Sequence, residues 1–261
     1  LFNLFEHLNS NTLENSWSKD ISRAGGTFEQ AREFGKLVKE HPDSFLQMLP
    51  NFEPQKHDLY IGNALEELAD TDFPANDLLQ IIDNLVLKGF VSDSFHNYAA
   101  RALEKVAERN QGLPDQTISL LKEWLTYDAE EVELENFKSI DDSSHDLKNP
   151  ILFGAGFSFF IPGGSCNVIR AIAKGYLNRR PSCLDGWSAF IKEQLSVASH
   201  PAIWAEILVM MPYLLNGDKA EATQLFDQVI RNCPETLKHF FVLHSISRAI
   251  GWFEPKETAQ G

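Results

Sequence analysis

Apolar side chains return every three or four residues along most of the chain, the spacing that lays them down one face of an α-helix. Ile61, Ala64, Leu65, Leu68 and Ala69 keep this register, as do Leu78, Ile81, Ile82, Leu85 and Val86, then Phe95, Tyr98, Ala99, Ala102 and Leu103. Ala222, Leu225, Phe226, Val229 and Ile230 repeat it near the other end. Trp187, Phe190, Ile191 and Leu195 give the same stripe with a polar gap at Gln194, and Ile118, Leu121 and Leu125 a shorter one. The stripes are separated by brief punctuated connections: Phe73-Pro74-Ala75-Asn76, Asn110-Gln111-Gly112-Leu113-Pro114, Asn216-Gly217-Asp218 and Asn232-Cys233-Pro234. Gly and Asn close helices in the left-handed conformation, and Pro opens the next one because its missing N–H has no partner there anyway. Thr27 and Gln30 form a capping-box pattern at another helix start. No strand-like alternation competes. The Phe-rich, Gly-broken run from Ile151 to Pro162 could hide a short extended piece, although a helix followed by a loop suits it better. The expected fold class is all-α.

Helices of about 11 to 16 residues joined by turns of about 2 to 6 run antiparallel to their neighbours. Weak internal repetition favours stacked pairs over a closed bundle. Val168-Ile169-Arg170-Ala171 matches Ala202-Ile203-Trp204-Ala205, and the helix start around His41-Pro42-Asp43 resembles that around Cys233-Pro234-Glu235. The expectation is an α-solenoid of antiparallel helix pairs of the HEAT/TPR type. The helix from Ala202 to Leu215 has only Glu206 as a charged residue, so it should be enclosed on nearly all sides, and Pro212 should kink it or end it early.

Charge then divides the chain. Of 37 acidic and 23 basic side chains, residues 1–127 hold 20 and 11, residues 128–150 hold 8 and 2, and residues 151–261 hold 9 and 10. The expected organisation is N-terminal helical repeats over 1–127, an acidic connector over 128–150 and C-terminal HEAT-like repeats over 151–261. The connector lacks the alternating acids, central Gly and terminal Glu of an EF-hand loop. A net charge of −14 disfavours nucleic acid, whose phosphates require clustered Lys and Arg. No apolar run is long enough to span a membrane, and three widely separated cysteines argue against a disulfide framework. The reading is cytoplasmic. A chain that begins at Leu1 without an initiator Met is expected to be a piece of something longer.

Catalytic patterns fail on inspection. Gly154-Ala155-Gly156 and the residues up to Gly164 lack the Lys of a Walker loop, and Ser158 lacks the second glycine of a nucleophile elbow. The eight His do not reach zinc-ligand spacing with Cys or carboxylates, and Cys166, Cys183 and Cys233 have no identifiable base beside them. No catalytic, metal or cofactor site is assigned. The one local basic cluster is Arg170, Lys174, Arg179 and Arg180, placed along one helix and its end. It is either helix-end charge paired with acids of adjacent repeats or a contact with an acidic partner surface or the chain's own connector. Trp17, Trp187, Trp204 and Trp252 are mostly expected in the core or between repeats, while an exposed Trp on a concave face would be an interaction anchor.

Gly163 to Lys174, followed by Ser199-His200-Pro201-Ala202-Ile203-Trp204-Ala205-Glu206 and then Leu214 to Ala222 with Leu225-Phe226, resembles the helical-repeat regions of large bacterial STAND-type NTPases, the NLR-like proteins of antiviral defence. Gly25 to Phe34 with His41 to Leu46 is similar to an earlier element of the same regions. The resemblance covers about 60% of the chain and rests on packing motifs. It departs at Trp204, where a HEAT-like helix commonly carries Arg. It implies a protein-binding solenoid, the sensing or transmitting part of a larger protein whose NTPase module lies elsewhere. The implied partner is a protein, such as one from a phage, or other parts of the parent chain. A generic helical scaffold or a small-ligand-binding helical domain is the alternative.

Overall fold

The apolar stripes become the buried faces of helices in the computed structural model, which describes residues 26–125, 165–197, 201–232 and 240–253. Every regular element among the described residues is helical. The acidic stretch 128–150, the Gly-rich run from Ile151 to Gly164 and Trp17 lie outside them. The chain divides into two compact units, Leu1–Val106 and Ala107–Gly261.

The first unit contains α1 (Thr27–Glu40), α2 (Pro42–Met48) with a 3-10 turn at Leu49–Asn51, α3 (Asp58–Ala69), α4 (Ala75–Lys88) and most of α5 (Asp93–Arg109). Phe34, Phe45, Phe52 and Tyr60 meet largely edge-on around a fully enclosed centre, with ring centroids 5.9 to 6.4 Å apart. α1 packs mainly on α3. Their backbones approach so closely that a Cβ at Gly35 would lie 3.0 Å from the Asn63 carbonyl oxygen. α4 ends as its punctuation predicts: Gly89 takes a φ of 104°, and the Phe90 amide donates back to the Leu85 carbonyl, a Schellman closure that buries the Phe90 ring.

The second unit contains the last turn of α5, then α6 (Asp115–Glu123), α7 (Ser165–Leu177), α8 (Leu184–Val197), α9 (Pro201–Met210), a 3-10 segment Met211–Asn216, α10 (Lys219–Asn232) and α11 (Phe240–Phe253). α7 packs on α6, α8 and α9, α9 packs on α11, and α8 packs on α10. α9 therefore packs against both α7 and α11, and Ile203, Trp204, Ile207 and Leu208 on it are all buried. Pro212 acts as expected. It cannot donate to the ladder, and the α-helix gives way to the tighter 3-10 form at Met211.

Two local expectations are corrected. Thr27 is the first helical residue rather than the cap; Gly26 precedes the helix, no side chain caps it, and the Gln30 side-chain oxygen accepts instead from the Tyr60 hydroxyl at 3.2 Å. Trp187 and Trp204 are enclosed as expected, but Trp252 is 66% exposed on α11.

Ion pairs between helices follow a rule that local sequence does not reveal. In the first unit, Lys39 of α1 reaches Glu67 of α3 at 3.1 Å, and Arg101 and Lys105 of α5 converge on Glu66 of α3 at 2.8 and 3.3 Å. In the second, Lys174 of α7 pairs with Glu108, Lys122 of α6 with Glu193 of α8, Arg170 of α7 with Glu206 of α9, and Lys192 of α8 with Glu221 of α10. Each joins helices two apart in the order of the described elements.

Candidate functional site

The four basic residues singled out in the sequence have different fates. Arg170 is bidentate to Glu206, with Nε donating to Oε2 at 2.9 Å and Nη2 to Oε1 at 2.8 Å. Glu206 is only 6% exposed, so this pair ties α7 to α9 inside the unit. Lys174 one turn later is engaged by Glu108. Arg179, just beyond the end of α7, holds the α5–α6 corner: Nε and Nη2 donate to the Leu113 carbonyl at 3.1 and 2.6 Å, and Nη2 also meets Asp115 at 2.6 Å. Its guanidinium lies 5.3 Å from the centroid of the Tyr176 ring. Burial raises the Tyr176 hydroxyl above its ordinary pKa, against the opposing pull of Lys122 and Arg179.

The corner itself is closely fitted. Gln111 and Gly112 both take positive φ, 57° and 89°, so that the Leu113 amide can turn and donate to the Gly175 carbonyl at 3.1 Å. A Cβ at Gly112 would sit 2.6 Å from that same carbonyl oxygen and from Cγ of Arg179. Gly112→Ala is expected to cost about 2 kcal/mol, because both the backbone conformation and the space oppose a side chain. Urea unfolding of the variant checks this, and a midpoint unchanged from wild type would show the corner to be loose.

Arg180 is the member of the cluster that faces solvent. It borders a cleft of about 500 Å³ lined by the corner residues Asn110 to Asp115 and by Arg179, Arg180 and Pro181. The structure thus gathers Arg179 and Arg180 on one cleft, while Arg170 and Lys174 bind neighbouring helices.

A second polar group, not anticipated from the sequence, lies in the first unit. His57 is buried before α3, and its Nδ1 accepts the Glu53 amide at 2.8 Å, which requires an unprotonated nitrogen. Asp58 beside it is buried too, accepting the Gln55 amide at 2.8 Å through Oδ1. Burial lowers the pKa of His57, with Lys56 adding to the shift and Glu53 opposing it; burial also lowers that of His96 on α5, opposed by Asp93 and Asp58. Both imidazoles bind protons more readily when unfolded, so their contribution is complete above about pH 6.5 and is lost as pH falls below it. The urea midpoint of the transition is expected to drop between about pH 7.5 and about pH 5.5, and to drop less in His96→Gln. An equal drop in wild type and variant would remove His96 from the account.

Among the described residues no group of three His, Cys, Asp or Glu could hold a metal ion, and no helix is long and apolar enough to cross a membrane. Cys183 is a free, partly exposed thiol. Among the described groups with displaced pKa values, His57 and His96 of the first unit both feel the Asp58 carboxylate; Glu33, Tyr60 and Asp83 also shift in that unit, and Tyr176 and Glu221 in the second. No family model, curated protein or solved structure matches the chain.

Proposed function

We propose that this chain is a protein-binding α-solenoid of HEAT-like helix pairs, serving as the sensor or transmitting part of a larger STAND-type NTPase in bacterial antiviral defence. The observation that carries the reading is the alternate-helix linkage. When helix n packs and pairs with helix n+2, odd and even helices form two layers, and each hairpin is stabilised by the next one along. Such a stack offers extended surfaces to a macromolecule, whereas chemistry requires titratable groups drawn into one cleft. The defence role rests on the resemblance of the α7 to α10 region and of the α1–α2 segment to the repeats of that family. On this reading the chain performs no catalysis, and the nucleotide-hydrolysing module belongs to the parent protein.

The test is capture by the immobilised chain from bacteria with and without phage infection, followed by calorimetry with the purified captured protein. The proposal expects one infection-specific protein bound with a dissociation constant in the range of about 1 μM or tighter. Retention of a nucleotide or metabolite in place of a protein, or no infection-specific capture, would contradict it.

A further inference from the structure

We propose that the cleft at the α5–α6 corner is a docking site for an acidic peptide segment, an inference that builds on the protein-binding reading above. Its lining is rich in unspent donors. Arg180 is exposed and makes no hydrogen bond or ion pair among the described residues, and the side-chain amides of Asn110 and Gln111 stand at the surface without bonds of their own. Arg179 uses Nε and Nη2 to grip Leu113 and Asp115, which leaves Nη1 available and fixes its direction. The one carboxylate of the lining, Asp115, is already paired with Arg179. The cleft therefore presents surplus positive charge in a chain of net charge −14.

The layout selects among anions. A free phosphate is held best where several backbone amides converge on one point. Here the donors come from separate side chains around an open cleft of about 500 Å³, room for a few residues of a peptide. Asn110 and Gln111 each offer one donor group and one acceptor, the pair that a peptide unit presents. Arg180 then meets an Asp or Glu side chain of the segment. The rigid corner supports this: Arg179 is seated by the Leu113 carbonyl and the Tyr176 ring before any ligand arrives, so little ordering is spent on binding.

The experiment measures fluorescence anisotropy of a labelled peptide of alternating Asp and Gly against its Asn and Gly counterpart, at about 0.15 M salt. Wild type is expected to prefer the acidic peptide. Arg180→Glu should weaken that binding about tenfold, with thermal unfolding unchanged because the side chain is exposed and unbonded among the described residues. Arg231→Glu, a reversal of a similarly exposed charge on α10, should leave binding within about twofold. Equal loss in both variants, no preference for the acidic peptide, or displacement by equimolar inorganic phosphate would overturn the proposal. The two readings fail separately: a captured protein whose affinity ignores Arg180→Glu refutes this cleft and leaves the binding module standing. Acidic-peptide binding with no infection-specific protein does the reverse.

Discussion

Arg170→Ala is expected to lower the unfolding free energy by about 3 kcal/mol, the low end of the range for breaking a buried ion pair. The cost comes less from the lost attraction than from what remains. Glu206 stays almost wholly buried on α9, with its carboxylate deprived of the two donors that Arg170 supplied. Arg170 itself is one-third exposed, which keeps the value from the upper end. Replacing both partners by apolar residues of similar size, Arg170→Met with Glu206→Leu, should recover most of the loss, since no uncompensated charge is then left inside. Urea unfolding of the two single variants and the double variant measures the coupling. A loss below about 1 kcal/mol for Arg170→Ala would place the pair with ordinary surface bridges such as Lys192–Glu221.

Trp204→Ala is expected to cost about 3–5 kcal/mol, because the side chain is fully enclosed on a helix that packs against both α7 and α11. Removing so large a side chain leaves a void in the buried interior beside α9. Trp252→Ala serves as the contrast. That side chain is two-thirds exposed, and its truncation should change stability by no more than about 0.5 kcal/mol. Similar effects of the two substitutions would mean that the enclosure of α9 is wrong.

These two tryptophans also show where sequence reading reached its limit. Periodicity identified the helices because a one-sided core imprints itself at a spacing of 3.6 residues, and Pro212 marked the end of α9 because its backbone chemistry is local. Exposure of Trp252 has no local signature: whether a stripe residue is covered depends on which helix lies over it. The same holds for the basic cluster. Arg170 and Glu206 are 36 residues apart, Lys174 and Glu108 are 66 apart, and nothing in either neighbourhood announces the other. Arg170 and Trp204 occupy matching places in the weak internal repeat, yet their roles differ: Trp204 is fully buried on α9, while Glu206, two residues on, receives Arg170. Thr27 failed as a cap for a related reason. A capping box is a statement about two side chains and two amides, and Gly26 with an extended backbone already starts the helix without them.

The separation of Arg179 and Arg180 from Arg170 and Lys174 follows from the same long-range pairing. All four lie close in sequence and read as one patch. Acids from α9 and from the end of α5 engage the first two, the α5–α6 corner engages the third, and the fourth is left on the cleft.

The alternate-helix linkage is tested most directly by zero-length carbodiimide coupling of the folded chain, with the resulting isopeptide bonds located by mass spectrometry. The expected products join Lys39 to Glu67, Lys122 to Glu193, Lys174 to Glu108 and Lys192 to Glu221, each bridging helices two apart in the order of the described elements. Coupling of these lysines instead to acids on the next described helix, with the alternate pairs absent, would contradict the alternate-helix pairing and the proposed solenoid and binding role that rest on it.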